Sequence, residues 1–172
     1  SAHPGASIGV LELSGADNRK PCPALERLKR EAEERLRAQY REFTRQDFLQ
    51  LPELAAYDRY CRRFKKTYHV LLQVESIVSK GRALPSVSPL VDANFLSEVQ
   101  TFVLTAAHDV AKLRVPIVLD ASTDQDSIKQ MNGVSREIYG GDMVMRDAEA
   151  VCCSIIYGQD DRSPISPDTT AA

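Results

Sequence analysis

Tryptophan is absent from this chain of 172 residues, and histidine is scarce, occurring only at His3, His69 and His108. Signatures of several common enzyme classes are also missing: there is no GxGxxG fingerprint, P-loop, GxSxG elbow or HExxH zinc motif. A catalytic triad or a zinc centre would need most of the histidines in one place. We therefore expect no metal catalysis, no bound metal and no cofactor.

The four cysteines do not form a metal-binding or redox pattern. Cys22, Cys61, Cys152 and Cys153 show no CxxC spacing and no histidine at ligand distance. Adjacent residues of a strand point to opposite faces, so Cys152 and Cys153 cannot chelate one ion together. Buried, reduced thiols are the prediction. Residues 1–7 lack the charged start and apolar run of a signal peptide, and no apolar stretch is long enough to span a bilayer, so we expect a cytoplasmic protein without a membrane partner.

Charge is distributed unevenly along the chain, although the net charge is only −2. Residues 1–82 hold 16 Lys/Arg and 11 Asp/Glu, a balance of +5, and residues 83–172 hold 6 and 13, a balance of −7. This asymmetry is compatible with a basic side that faces nucleic acid. The length suits one domain, residues 1–172. The sequence stops at Asp168–Ala172, where another strand or helix could start, so we expect a C-terminal element to be missing.

Helix-like segments come first and strand-like segments follow, an order that predicts an α+β domain. Leu25, Leu28, Ala32 and Leu36 recur at helical spacing after Pro23, with charges on the other face, where we expect solvent. Further helices are predicted at 52–64, 70–79 and around 90–96. Strands are predicted at 8–13, 102–104, 117–119 and in a hairpin whose two apolar runs flank the polar link 147–150.

The second run of this hairpin breaks at Gly158, which can take φ > 0 or allow a close approach. Four polar residues follow: Gln159, Asp160, Asp161 and Arg162. Such a group at the end of a buried strand lines a pocket in some proteins and forms a turn that satisfies its own hydrogen bonds in others. Both interpretations are open from the pattern alone.

Cations and aromatic residues alternate between positions 57 and 68. The cations are Arg59, Arg62, Arg63, Lys65 and Lys66, and the rings are Tyr57, Tyr60, Phe64 and Tyr68. Cations can neutralise phosphates while rings stack on bases, which makes the five cations candidates for RNA contact. The alternative is a helix whose aromatic face is core and whose cations are its solvated stripe.

Two shorter segments carry polar groups beside apolar ones. Asp92 and Asn94 need hydrogen-bond partners if buried, so they either support the fold or bind an amine of a ligand. His108 and Asp109 follow an apolar run, and neighbouring side chains seldom face each other. Asp109 is therefore read as the N-cap of a short helical turn, with acid/base chemistry as the alternative.

The order of these segments is more specific than any one of them. Ser88–Asn94, then Ala107–Leu113, then Gly141–Asp142 with a strand ending at Tyr157–Gly158, resembles the B-three/B-four domain of the phenylalanyl-tRNA synthetase β subunit. The resemblance extends from about Tyr68 to Thr169. It implies an α+β fold with a β-barrel-like or mixed-sheet core and flanking helices.

In that synthetase the domain hydrolyses tyrosine from mischarged tRNA, so the resemblance implies an editing-type pocket. Its candidate residues here are Asp92, Asn94, His108, Asp109, Gly158, Gln159, Asp160, Asp161 and Arg162. The family's histidine falls on Ala106 and its glutamate on Gln159, and an amide lacks the charge of a carboxylate. The catalytic residues therefore stay unassigned.

The resulting expectation is a free-standing module that binds RNA or aminoacyl-tRNA, with trans-editing hydrolysis as its enzymatic form. The chain is too short for a complete synthetase. The alternative is a protein that binds an amino-acid-like small molecule without catalysis. Neither reading involves DNA.

Overall fold

A computed structural model describes residues 3–172 of the chain. It divides into two compact units: a helical unit, Arg19–Thr105, and a strand unit, Ser1–Asn18 with Ala106–Ala172. The α+β class predicted from the order of the segments is confirmed. The charge asymmetry follows the same division, since the helical unit holds 16 cations and 11 carboxylates and the strand unit holds 6 and 13.

The helical unit consists of five helices. They are α1 (Pro23–Gln39), α2 (Arg45–Phe48), α3 (Pro52–Arg62), α4 (His69–Lys80) and α5 (Pro89–Thr101). Proline stands at the start of α1, α3 and α5, where its missing N–H costs nothing. α1 packs on α4 and α5 around fully buried side chains such as Ala32, Leu71, Val74 and Val99. The predicted helices are confirmed, with ends that differ by a few residues.

The strand unit contains two antiparallel sheets, and its described strands form no closed barrel. β1 (Val118–Ala121), β4 (Met143–Arg146), β5 (Val151–Ser154) and β6 (Gly158–Gln159) form one sheet in that order, and β2 (Ser127–Lys129) pairs with β3 (Ser135–Glu137). β4 and β5 are the predicted hairpin. A small core of Ile128, Ile138, Val144 and Val151 lies beneath them.

The strand predicted at residues 8–13 is wrong. This segment is extended but exposed, with Val10 and Leu11 both more than 80% accessible. Its pairing begins only at Leu13, which exchanges backbone hydrogen bonds with Ala172, and at the bridge between Ser14 and Ala171. Strand propensity alone did not form a ladder, because residues 8–12 face no partner strand within the described part of the chain.

The strand predicted at residues 102–104 is also wrong. Phe102 ends α5 in the left-handed conformation, with φ of 60°. Side chains from elsewhere in the helical unit take the hydrogen bonds that a ladder would need: the Tyr68 hydroxyl donates to the Phe102 carbonyl, and the Leu104 N–H donates to the Tyr57 hydroxyl. A short apolar run at the end of a helix has the same appearance in sequence as a short buried strand, because its length does not distinguish them.

The expectation that the thiols are buried holds for part of the set. Cys61 and Cys152 are buried and Cys153 is partly covered, whereas Cys22, just before α1, is exposed. No disulfide links the four cysteines, all of which lie in the described part of the chain. Burial raises the pKa of Cys152 to about 11, so this thiol stays protonated at neutral pH.

Candidate functional site

The cations around the end of α3 point to solvent. Residues Arg59, Arg62, Arg63, Lys65 and Lys66 are all exposed, and we call the stretch from Arg59 to Lys66 the basic segment. Arg62 pairs with Asp58 at 2.6 Å. Across residues 3–172, no carboxylate comes within ion-pair distance of the other four cations. Most of the positive charge of the segment therefore meets water.

The aromatic residues interleaved with these cations turn inward. Phe64 and Tyr68 are buried, and Tyr57 and Tyr60 are half-buried. Tyr57 stacks on Tyr68 with ring centroids 4.2 Å apart. This is the arrangement expected of a helix with an aromatic core face, so Tyr57 and Tyr68 hold the segment in place and are not available to bases.

The chain leaves α3 through a defined turn. The N–H of Lys66 donates to the Cys61 carbonyl and the N–H of Lys65 donates to the Arg62 carbonyl, which is the Schellman pattern of helix ends. Lys65 stands at the left-handed position with φ of 55°, where glycine is usual. The backbone that carries the cations is therefore fixed, at the cost of some strain at a lysine.

Arg63 differs from its neighbours because its guanidinium lies over two rings. Its Cζ is 5.4 Å from the centroids of both Tyr60 and Phe64. The two rings are themselves 5.5 Å apart. The guanidinium group thus has an aromatic support on one side, which restricts its orientation.

Asp92 supports the helical unit. Its carboxylate accepts from Lys29 at 2.7 Å and from the Val87 N–H at 2.8 Å, and both charged side chains are nearly fully buried. Burial lowers the pKa of Lys29, but the hydrogen bonds from its ammonium to Asp92 and Glu26 outweigh burial and raise it overall. Asn94 lies half-buried on the same helix.

The prediction that the charges of α1 face solvent is wrong for Lys29 and Glu33, which are buried. The signal was present in the sequence. Lys29 falls on the same helical stripe as Leu25 and Ala32, four and three residues away, where a cation needs a partner. Glu33 finds its partner in the backbone N–H of Leu84.

In the strand unit, His108 is joined to Asp160 through Ser163. The Ser163 hydroxyl donates to Asp160 Oδ1 at 2.6 Å, and its oxygen lies 2.8 Å from His108 Nδ1, which is also 3.1 Å from the amide nitrogen of Gln159. Nε2 of His108 is buried and has no hydrogen-bond partner among the described residues. Burial lowers the pKa of His108, opposed in part by the charges of Asp160 and Asp147, so the ring is neutral at pH 7.

Asp109 is an N-cap, as its position predicted. Its Oδ1 accepts from the Ala111 N–H at the start of a 3-10 helix, Val110–Lys112. Its Oδ2 accepts from the Thr169 hydroxyl at 2.7 Å. Burial raises the pKa of Asp109, and these hydrogen bonds reverse that effect and lower it.

Residues 158–162 follow the second strand of the hairpin, and we call them the tip of the hairpin. Their polar side chains bind one another and their neighbours. Arg162 contacts Asp160, Asp147 and Glu149 at 2.9 to 3.2 Å. Asp147 also accepts from three backbone N–H groups, one of which belongs to Arg114. The guanidinium and the two buried carboxylates thus form a closed ion cluster.

The remaining tip residues are also engaged within the strand unit. Gln159 donates through Nε2 to the Ala107 and Ser163 carbonyls, at 2.8 and 3.2 Å. Asp161 pairs with Lys129 at 2.7 Å, and Gly158 takes φ of 80° at the turn into β6. Most polar groups of the tip therefore find partners within the strand unit, which agrees with the turn interpretation, although Asp160 Oδ2 has an ion pair with Arg162 and no hydrogen bond among the described residues.

The candidate residues therefore separate by unit. Asp92, Asn94 and the basic segment belong to the helical unit, and the residues at 108–109 and 158–162 belong to the strand unit. Sequence reasoning missed Ser163 and Asp147, which connect the second group. Residues 3–172 contain no cluster of three or more His, Cys, Asp or Glu arranged to hold a metal ion.

Comparison with known proteins leaves the chain without an assigned family. No family model matches it, and no curated protein matches it significantly. Within the described residues, no helix has the length and apolar character required to cross a bilayer. The contacts above are therefore the basis for a functional proposal.

Proposed function

We propose that this protein is an RNA-binding module, with tRNA or aminoacyl-tRNA as its ligand, and that the basic segment is its RNA-binding surface. The observation that carries the proposal is the set of four exposed cations without a carboxylate partner, placed within eight residues of the chain. The resemblance to the synthetase editing domain, which rests on the order of three segments, supports the choice of tRNA and of an editing-domain type of fold.

Phosphate neutralisation explains why these cations suit RNA. Each cation that contacts a phosphate releases condensed counterions, so affinity falls with salt in proportion to the number of contacts, with a slope of about 0.7 to 0.9 per phosphate. A cation that is already paired with a carboxylate gains less free energy from a phosphate contact. Arg62 is paired in this way, so the better candidates are Arg59, Arg63, Lys65 and Lys66.

The direct test is the affinity for unfractionated tRNA as a function of salt. We expect binding in the range of about 10⁻⁶ to 10⁻⁴ M that weakens steeply between about 50 and 200 mM salt. Replacing Lys65 and Lys66 by glycine and glutamine should lower the salt slope by about 1.4 to 1.8, because two phosphate contacts are lost.

A matched control removes two exposed cations elsewhere in the same unit. Arg30→Gln with Arg35→Gln changes the net charge equally but should leave the salt slope close to that of the native protein. If the control variant loses as much as the variant of the basic segment, binding depends on overall charge and this surface is not the site. If the protein shows no salt-dependent binding to tRNA, the proposal is wrong.

Aminoacyl-ester hydrolysis is a second candidate, favoured by the neutral His108 with its unpartnered Nε2. In the tautomer that leaves Nε2 unprotonated, the imidazole could accept a proton from an attacking water, and Asp160 would hold the ring through Ser163. Release of tyrosine from mischarged phenylalanine tRNA tests this idea. We expect His108→Gln to reduce the rate to the uncatalysed level without weakening tRNA binding. Equal rates for both proteins would eliminate it.

A site for an amino-acid-like small molecule has less support. Asp109, Gln159, Asp160 and Arg162 already bind groups of their own unit, so a ligand would have to replace those hydrogen bonds. Calorimetry with amino acids separates this alternative from RNA binding, since such binding would be insensitive to salt.

A further inference from the structure

Resting on the proposed RNA-binding function, we propose that Arg63 gives the basic segment a preference for RNA with unpaired bases over duplex RNA. Its guanidinium lies over Tyr60 and Phe64, 5.4 Å from each ring centroid, and Arg63 is an exposed residue. A flat cation supported in this way is a stacking surface for a base.

The aromatic support of the guanidinium matters because a base stacks more favourably on a plane whose orientation is already fixed. A guanidinium is planar and delocalised, and it stacks on aromatic faces on one side while presenting the other. Phe64 is buried and Tyr60 half-buried, so neither ring can follow the guanidinium away from the helix. Less conformational entropy is then lost when a base stacks on it.

The backbone adds to this orientation. Arg63 directly follows α3 as its C-cap residue, and its N–H donates to the Tyr60 carbonyl. The following hydrogen bonds, from Phe64 and Lys66 to the Cys61 carbonyl, close the turn directly after it. Arg63 is therefore fixed at both its main chain and its side chain, whereas Lys65 and Lys66 offer only mobile point charges.

No carboxylate competes for this guanidinium. Among residues 3–172, Arg63 forms no ion pair, whereas Arg62 beside it is held by Asp58 at 2.6 Å. Arg59, one turn earlier, is equally exposed but, in the described part of the chain, has no ring beneath it. The two arginines therefore differ mainly in aromatic support, which makes Arg59 a matched control.

The class of RNA that is preferred follows from the groups that the guanidinium plane of Arg63 can contact. Bases in a duplex already stack on one another and leave phosphates and 2′-hydroxyls for contact, whereas bases of loops and ends can stack on side chains. All cations of the segment contribute to phosphate binding of either form, and the electrostatic contribution per phosphate is smaller for a single strand, so stacking is the contact that favours unpaired bases. Single-stranded ends and loops are thus the preferred class.

The test compares a single-stranded RNA with a hairpin duplex of equal phosphate number, by fluorescence anisotropy at fixed salt. Stacking of one base predicts a preference of about tenfold for the single strand. Arg63→Lys keeps the charge and removes the plane, so it should lower the ratio about tenfold, whereas Arg59→Lys should leave the ratio unchanged. A single strand carrying 2-aminopurine should show fluorescence quenching with the native protein and with Arg59→Lys, but not with Arg63→Lys.

The outcomes separate this inference from the proposal on which it depends. Salt-dependent binding with equal affinity for both RNAs, or a ratio that Arg63→Lys leaves unchanged, overturns the stacking role and retains RNA binding. Absence of salt-dependent binding to either RNA overturns both. The unfolding midpoint of Arg59→Lys should match the native value, and that of Arg63→Lys should fall only slightly, because the change keeps the charge and removes only the guanidinium contact with Tyr60 and Phe64.

Discussion

Two charged groups of this protein, one in each unit, use charge in opposite ways. In the helical unit, four cations of the basic segment project into solvent without a carboxylate partner among the described residues. In the strand unit, the charged residues at the tip of the hairpin pair with one another and with their neighbours: Arg162 forms ion pairs with Asp147 and Asp160, which are buried. The difference indicates that the first set can bind a partner and that the second set stabilises the fold.

The largest expected effect comes from breaking the ion cluster of the strand unit. Asp147→Ala removes a fully buried partner of Arg162 and an acceptor for three backbone N–H groups. We expect a loss of about 3 kcal/mol in the free energy of unfolding, measured by urea denaturation.

Glu149→Ala is the matched control for this prediction. Glu149 contacts the same guanidinium at 3.0 Å but is 59% exposed, so its removal should cost about 0.5 kcal/mol. Similar losses for the two variants would contradict a structural role specific to the buried carboxylate.

A second prediction concerns the stability of the protein at acidic pH. Bidentate pairing with Arg146, at 2.6 and 2.7 Å, lowers the pKa of Asp126 far below its usual 3.8. A depressed pKa in the folded state adds stability above the unfolded value, and that stability is lost as pH falls below about 3.8. The urea midpoint should therefore drop steeply below pH 4, and less steeply for Asp126→Asn. A native profile no steeper than that of the variant would contradict this assignment.

The third prediction separates backbone strain from charge in the helical unit. Lys65→Gly places glycine at a left-handed position, so we expect stability to rise by about 0.5 to 1 kcal/mol. Lys65→Ala removes the same charge and keeps the strain. Both variants should bind tRNA with a salt slope lower by about 0.7 to 0.9, and only the glycine variant should gain stability.

The result is informative in either direction. A gain in stability without a change in salt slope would show that Lys65 does not contact phosphate. A loss of stability in the glycine variant would show that the lysine side chain contributes packing that outweighs the strain.

The sequence predicted those features that depend on neighbouring residues. Helices α1, α3 and α5 begin at prolines, and α1 carries a clear apolar stripe, so their positions could be read locally. The Asp109 cap and the hairpin are also local. The strand predicted at residues 8–13 failed because a strand needs a partner, which no local pattern supplies.

The inward arrangement of the hairpin tip could not be read from the sequence for a similar reason. Gln159 donates to the carbonyl of Ala107, and His108 bonds to Ser163, in each case more than fifty residues away. A list of polar residues does not tell which of them will find such partners. Lys29 is the exception, since its place on an apolar stripe signalled a buried ion pair.

Amide hydrogen exchange of the whole chain, with and without tRNA, shows directly whether the basic segment is the RNA-binding surface. We expect slower exchange in peptides that cover residues 59–66 and little change in peptides that cover residues 158–165. Protection confined to residues 158–165, with none in the basic segment, would contradict the assignment of RNA binding to the helical unit.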